Sequence, residues 1–178
     1  LAAAVSALGR VSVLAGGPGT GKTTTVARLL ALLRDQPGPE LRIALAAPTG
    51  KAAARLEEAV RAATAELSPD DQQRLADLSA STLHRLLGWL PSSRSRFRHD
   101  ASNPLPHDVV IVDEMSMVSL TMMARLLDAV RPSARLVLVG DPDQLSSVEA
   151  GAVLADIARA PGVPEADLGR RLVELGLI

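Results

Sequence analysis

The chain has no cysteine. It can form no disulfide framework and no thiolate metal site, which fits a reducing compartment and leads us to expect a cytoplasmic protein. Aromatic residues are nearly missing, with Trp89 and Phe97 the only two. A platform of rings stacking successive bases is therefore not expected. A strong charge of one sign is also missing. The net charge is −1, so any nucleic-acid binding must come from local patches rather than bulk attraction. No apolar run approaches the roughly 20 residues of a membrane span, and no signal peptide is evident. The histidines His84, His99 and His107 are scattered, and without cysteine they show no metal-ligand spacing. Lysine is scarce as well: beside 17 Arg there are only Lys22 and Lys51. Both end a Thr-Gly-Lys at the start of an expected helix, where a compact ammonium rather than a planar fork has been kept.

What is present suits one domain with a sizeable core: 178 residues, 47% of them hydrophobic. A first residue of Leu rather than Met leads to the expectation of a fragment. Four runs read as strands: Val11–Ala15, Leu41–Ala46, Val109–Val112 and Arg135–Val139. They are near-continuous in Val, Ile, Leu and Ala, and each precedes a helical pattern. That is the pattern of a parallel sheet covered by helices on both faces, an α/β fold. Expected helices cover 1–8, the segment after the Gly-rich loop to about Arg34, and a long Ala-rich stretch from near Lys51 with Leu56, Ala59, Val60 and Ala63 on one face. Ser68-Pro69-Asp70-Asp71 starts a further one, running to about Leu78. Ser81-Thr82 opens a short one on which Leu83, Leu86, Leu87 and Leu90 share a face, so that His84 and Arg85 point away. Later helices are expected around Leu120, Met123, Leu127 and Val130, at about 151–159, and at about 165–175 after the break Pro161-Gly162-Val163-Pro164. No internal repeat is visible.

The strongest local signal is GGPGTGKTTT, Gly16 to Thr25. It satisfies G-x-x-x-x-G-K-[ST] with Gly16, Gly21, Lys22 and Thr23, and lies between an apolar strand and a periodic helix, the context that a phosphate loop requires. Its glycines let backbone N–H groups turn toward phosphate oxygens at a helix N-terminus. The nucleotide contacts expected are Gly16, Gly17, Pro18, Gly19, Thr20, Gly21, Lys22, Thr23 and Thr24. Lys22 would reach the β and γ phosphates, and the Thr23 hydroxyl would ligate Mg²⁺.

Three other strand ends are polar. Asp113-Glu114 follows Val109–Val112, where Asp113 can hold Mg²⁺ near Thr23 and Glu114 can orient and deprotonate a water. Read without the phosphate loop, the same pair would be a solvated acidic turn. Gln144, in GDPDQ, is either a γ-phosphate sensor or part of a turn built from Asp141, Pro142 and Asp143. Thr49-Gly50-Lys51 is either a capped helix with a solvated Lys or a contact for a nucleic-acid phosphate. All four sites fall at C-terminal strand ends, the edge where open α/β sheets bind ligands. Thr82, His84 and Arg85 form a further polar edge. Arg94, Arg96, Arg98 and His99 form a basic loop within 91–100, read here as solvated, with DNA contact as its alternative.

The segments GGPGTGKTTT, LAAPTGKAAARL, STLHRLLG, VVIVDEMSMV and LVGDPDQLSSVEAGAVLADI, in this order, resemble superfamily 1 helicases of the RecD type. They cover about Val11 to Ile157. The last segment looks more like the exodeoxyribonuclease V subunit than the stand-alone RecD2-type enzymes. Where the family commonly has DEAS, this chain has DEMS. The resemblance implies a RecA-like P-loop NTPase fold, with 1–178 as one motor domain and 161–178 as a C-terminal linker and helix. It also implies ATP and Mg²⁺ as cofactors and 5′-to-3′ DNA helicase activity. Lys22, Thr23, Asp113, Glu114 and Gln144 would then serve the nucleotide site, and Thr49, Lys51, Thr82 and His84 would face single-stranded DNA. RecB- and RecC-like subunits and a second RecA-like domain, which brings the arginine that completes the ATP site, are the implied partners. The adenine-reading glutamine of the family would lie before Leu1. A P-loop kinase or nucleotide switch, and a scaffold with a vestigial site, remain as other readings of the phosphate loop.

Overall fold

Strands β1 (Val11–Ala15), β2 (Ile43–Ala47), β3 (Ala80–Thr82), β4 (Val109–Val112) and β5 (Arg135–Gly140) form one sheet in the order β1-β5-β4-β2-β3. Every pairing is parallel. The computed structural model describes residues 2, 3, 6, 9–17, 19–35, 39–90, 96–141, 170 and 173. The helix expected at 151–159 and Gln144 lie outside the described residues, as does the segment 161–178 except for Arg170 and Val173.

The central strands are apolar at every position because both faces of the sheet are covered. Successive side chains of a strand point to opposite faces, and β4 and β5 show the consequence. Val109, Ile111, Val137 and Val139 join one core, with Val26, Leu29, Leu30 and Leu33 of α1 (Lys22–Arg34) and Leu56 and Val60 of α2 (Gly50–Thr64). Leu75 of α3 (Pro69–Leu75) closes that core. Val110, Val112, Leu136 and Leu138 join the other, with Leu83 and Leu87 of α4 (Leu83–Leu87) and Met123, Leu126 and Ala129 of α5 (Leu120–Ala129). Each fully buried Leu or Ile contributes on the order of 1.5–3 kcal/mol relative to exposure.

Helix starts follow local chemistry. Ser68, Thr49, Thr82 and Ser119 each sit in extended backbone, and each side-chain oxygen accepts a first-turn N–H. Such caps are worth about 1 kcal/mol apiece. Pro69 occupies the first turn of α3, where its missing N–H costs nothing.

The structure departs from the sequence expectations in five places. α4 ends at Leu87 with Gly88 as its cap, so Leu90 lies beyond it and is exposed rather than sharing its face. β3 is a fifth strand; Ala80-Ser81-Thr82 has no apolar run to announce it, and it forms by pairing with Leu45, Ala46 and Ala47 at the sheet edge. β2 runs from Ile43 to Ala47 rather than 41 to 46, because its register is set by Val109–Val112 beside it. α3 stops at Leu75, three residues before the expected end. On α5 the expected row was Leu120, Met123, Leu127 and Val130. The buried row is Met123, Leu126 and Ala129, while Leu120 and Leu127 are 55% and 49% exposed. Adjacent leucines at 126 and 127 satisfy a helical period equally well, and packing of Met115 and Val118 beside the sheet chooses between them.

Candidate functional site

Parallel pairing brings the C-terminal ends of all five strands to one edge, and their chemistry reads across it in strand order. The phosphate loop follows β1, Asp141 follows β5, Asp113-Glu114 follows β4, Thr49-Gly50-Lys51 follows β2, and Thr82-Leu83-His84 ends β3. Neighbouring strands lie about 5 Å apart. The carboxylates thus stand between the residues expected at nucleotide and those expected at DNA, one strand away from Lys51.

Around the phosphate loop, Gly19 and Gly21 take φ of 75° and 80°, values that a side chain would strain. Among the described residues, Gly16, Gly17, Thr20, Lys22, Thr23 and Thr24 complete the stretch with these two; Pro18 lies outside them. The four α-helices α2 to α5 are capped by a hydroxyl, but α1 starts at Gly21 with no side-chain cap. Its first-turn N–H groups are thereby left for an anion, the arrangement that favours phosphate at a helix N-terminus. Lys22 is half-buried, and its Nζ donates to the carbonyls of Gly16 at 2.5 Å and Gly17 at 2.7 Å. Thr20 Oγ1 donates to Gly17 O at 2.9 Å, fixing the loop from within.

Asp113 and Glu114 are both partly buried. Asp113 Oδ1 accepts the N–H of Glu114 at 2.8 Å. Burial raises the Asp113 carboxyl above its ordinary range, opposed by that N–H and by the nearby Lys22 ammonium. Glu114 has φ 54° and ψ 40°, the one non-glycine with positive φ among the described residues. A left-handed conformation costs a non-glycine about 1–2 kcal/mol. Such strain, at the residue expected to activate water, is retained where surrounding structure imposes it.

A cavity of about 330 Å³ joins these groups. Thr23, Asp113, Glu114 and Met117 line one side, and Thr49, Lys51, Ala52, Arg55, Leu56 and Ala59 of the α2 end line the other. Thr23 and Asp113 therefore share a space, and both offer hard oxygen donors of the kind Mg²⁺ takes. A buried carboxyl whose pKa is raised gains from a cation, so the donor set fits the ion. Among the described residues no group of three or more His, Cys, Asp or Glu could hold a metal unaided. Mg²⁺ suits such a sparse site, since it commonly keeps waters and substrate phosphates as its remaining ligands.

The residues expected at DNA divide. Thr49 and Lys51 open onto this cavity. Thr82 and His84 stand at β3, beyond β2. Both threonines are helix caps: Thr49 Oγ1 accepts from Ala52 N and Thr82 Oγ1 from Arg85 N, each at 3.2 Å. Capping uses an acceptor lone pair and leaves the hydroxyl proton free to donate to a phosphate. His84 is exposed, with its ring 5.8 Å from that of Phe97. Phe97 in turn pairs with Trp89 in an antiparallel bridge, so the two aromatic residues of the chain meet beside His84. Spacing in the sequence held no signal for that meeting.

Sequence reasoning missed two other neighbours. Asp141 was read as part of a turn, but a methyl group at Gly17 would lie 3.9 Å from Asp141 Oδ2, so this carboxylate borders the phosphate loop. Arg55 was not singled out in the sequence, and it lines the shared cavity. Its position four residues after Lys51 on α2 was the available sign.

Comparison with known proteins follows the same lines. A family model described as an AAA domain matches residues 2–150. The chain is 67% identical over 156 residues to RecBCD enzyme subunit RecD of Mycolicibacterium smegmatis, covering 85% of this chain and 28% of that protein. It is 46% identical over 151 residues to the ATP-dependent RecD2 DNA helicase of Deinococcus radiodurans, covering 85% of this chain and 18% of that one. The chain thus spans less than a third of the length of these relatives. The solved structure of T4 UvsW superposes with a TM-score of 0.52 at 14% identity, over 86% of this chain and 31% of that one, and shows a common RecA-like fold. With the family match covering residues 2–150 of the 178, the chain belongs to the AAA domain family.

Proposed function

We propose that this chain is the ATP-binding motor domain of a 5′-to-3′ DNA helicase subunit of the RecBCD, or exodeoxyribonuclease V, type, acting in double-strand-break repair and recombination. The observation that carries the proposal is the shared cavity of Thr23, Asp113, Glu114 and Lys51. It sets nucleotide chemistry and an expected strand contact side by side, which a motor needs and a simple nucleotide switch does not. The 67% identity to a RecD, against 46% to a RecD2 helicase, supports the RecBCD-type reading over a stand-alone enzyme.

The nucleotide is ATP, cradled by Gly16, Gly17, Pro18, Gly19, Thr20, Gly21, Lys22, Thr23 and Thr24. The Lys22 ammonium leaves its loop carbonyls and donates instead to the β and γ phosphates. Thr23 and Asp113 would hold Mg²⁺, which supplies charge neutralisation on the phosphates. Glu114 accepts a proton from the attacking water, and Gln144 senses the γ-phosphate. Thr49, Lys51, Thr82 and His84 contact the sugar–phosphate backbone of single-stranded DNA, contacts that position a strand without reading its sequence.

The partners are RecB- and RecC-like subunits and a second RecA-like domain of the same protein, in the cytoplasm. Because the site closes between two motor domains, the 178 residues alone hydrolyse ATP slowly and do not unwind duplex. The test is ATP turnover of the intact enzyme with and without single-stranded DNA. Stimulation by DNA, abolished by Lys22→Ala, is expected. Turnover indifferent to DNA would favour a kinase or nucleotide switch instead.

A further inference from the structure

Sulfur in this chain is confined to four methionines, since cysteine is absent. Three of them are sheltered: Met115 and Met123 are 1% and 4% exposed, and Met122 is half-buried. Met117 is 52% exposed. It ends a single 3₁₀ turn, Met115–Met117, that starts at the left-handed Glu114. Met115, Ser116 and Val118 are buried around it, and Met115 and Val118 join the core that holds Val110 and Val112 of β4. Met117 N donates to Glu114 O at 3.0 Å, and Val118 N to Met115 O at 3.1 Å. The turn is thus pinned on both sides and displays one thioether. That side chain lines the cavity shared by Thr23, Asp113, Glu114, Lys51 and Arg55.

A methionine thioether is uncharged, flexible and only a weak acceptor. Beside a carboxylate it does not compete for the cations opposite. Oxidation reverses this, because a sulfoxide is polar and carries an oxygen that accepts hydrogen bonds; exposure governs which sulfur is reached. Across this cavity the donors are the Lys51 ammonium and the Arg55 guanidinium. A hydrogen bond from either is charge-assisted, about twice as strong as a neutral one.

We propose that Met117 is a site of reversible oxidation, and that its sulfoxide bridges the cavity and slows ATP turnover. The oxidant is a small peroxide. The sulfur lone pair attacks one peroxide oxygen, so that an S–O bond forms and the O–O bond breaks. The proton on the transferred oxygen passes to the departing hydroxide, which leaves as water. Sulfur loses two electrons and the peroxide gains them. Reversal takes a dithiol, which becomes a disulfide while the oxygen leaves as water. The slowing rests on the reading of this cavity given under Proposed function, whereas the order in which the methionines oxidise does not. Met117 takes no part in the chemistry of turnover.

The test treats the intact enzyme with hydrogen peroxide. Peptide mass spectrometry follows sulfoxide at each methionine, and ATP turnover is measured with single-stranded DNA. Met117 should oxidise at least about tenfold faster than Met115 and Met123, following exposure. Turnover should fall about tenfold as Met117 is converted, the size of one hydrogen bond to a charged group. Methionine sulfoxide reductases of both epimer specificities, supplied with dithiothreitol, should restore it. Met117→Leu, close in volume to the wild type, should keep its own untreated turnover after peroxide, and Met123→Leu should lose as much as the wild type. Oxidation of Met117 no faster than that of buried Met115 would overturn the proposal, as would full conversion of Met117 with turnover unchanged. A peroxide-treated Met117→Leu enzyme that slows as the wild type does would place the sensitive sulfur elsewhere and sink it too. The reductase arm needs no variant: turnover that stays lost after Met117 is reduced counts equally against it. An untreated wild-type enzyme without ATP turnover would instead remove the reading under Proposed function, and the proposal with it.

Discussion

The Lys22 ammonium lies 2.5 Å from the Gly16 carbonyl, so the lysine that is expected to grip phosphate also ties together its own loop. Its second bond, to Gly17 at 2.7 Å, does the same for the next peptide. A phosphate entering the loop exchanges these ammonium–carbonyl contacts for ones in which donor and acceptor are both charged.

Replacing Lys22 should therefore have two effects. Lys22→Ala should lower nucleotide affinity at least about tenfold through the lost charge-assisted bonds. It should also speed amide hydrogen exchange through residues 16–21, even without nucleotide. Lys22→Arg should not restore binding, because a planar fork cannot sit where a compact ammonium meets two adjacent carbonyls. Titration with an ATP analogue and exchange mass spectrometry read these effects; unchanged exchange would show that the carbonyl contacts do not order the loop.

Glu114 separates strain from chemistry. Glu114→Gln should keep nucleotide binding and reduce kcat of the intact enzyme about a hundredfold or more, the usual contribution of a positioned base. Glu114→Gly should abolish turnover equally but raise thermal stability slightly, by up to about 1 kcal/mol, since relief of the left-handed strain outweighs glycine's entropy. A Glu114→Gly variant that melts well below the wild type would contradict the strain assignment.

Gly88 ends α4 with φ 71°, and a methyl group there would come within 2.8 Å of Arg98 Cβ. Arg98 N in turn donates to Gly88 O at 2.9 Å, so the two segments cannot easily separate. Gly88→Ala should cost about 1–3 kcal/mol from strain and crowding together. Denaturant unfolding should show a lower midpoint at unchanged slope.

Leu126 and Leu127 offer a paired test of how α5 sits. Leu126 is fully buried and Leu127 is 49% exposed. Leu126→Ala should destabilise by about 2–5 kcal/mol, and Leu127→Ala by about 0.5 kcal/mol or less. Equal losses at the two positions in calorimetry would mean that the helix is rotated relative to the sheet.

Asp108 links the start of β4 to its surroundings. Its carboxylate accepts from Arg42 N at 2.9 Å and pairs with Arg131 at 2.7 Å. These contacts, the Arg42 backbone N–H foremost, lower its pKa from 3.8 to about 2. A depressed carboxyl contributes stability above its unfolded pKa and loses it as pH falls through the folded one. The contribution should therefore be complete above about pH 5 and fade toward pH 2. Asp108→Asn should lower stability by about 1 kcal/mol at pH 7, allowing for partial solvent screening, and by almost nothing at pH 2. A difference that persists at pH 2 would mean that hydrogen-bond geometry, not charge, is what Asp108 supplies.

Much of the candidate site's local make-up was legible in the order of residues. The phosphate loop is contiguous, so every group it uses lies within ten residues, and the strand and helix that flank it declare themselves by period. Asp113-Glu114 was legible for the same reason, as acids directly after four apolar residues. The capping role of Ser68 follows from a local interaction over three residues and was visible too. What stayed hidden depends on contacts between distant segments. β3 exists because Leu45–Ala47 offers it a ladder, and its own three residues carry no pattern.

The sequence by itself thus determined which chemical groups are available and at which strand ends they lie, because covalent order and hydrophobic period act over a few residues. Only the tertiary structure decided which ends are neighbours. The order β1-β5-β4-β2-β3 places Lys51 and Arg55 beside Asp113 and Glu114 and sets Asp141 against Gly17. It also decided that Leu126 rather than Leu127 is buried and that Glu114 takes a left-handed turn. Those outcomes follow from packing helices on both faces of a sheet, where area buried between remote segments outweighs local preference.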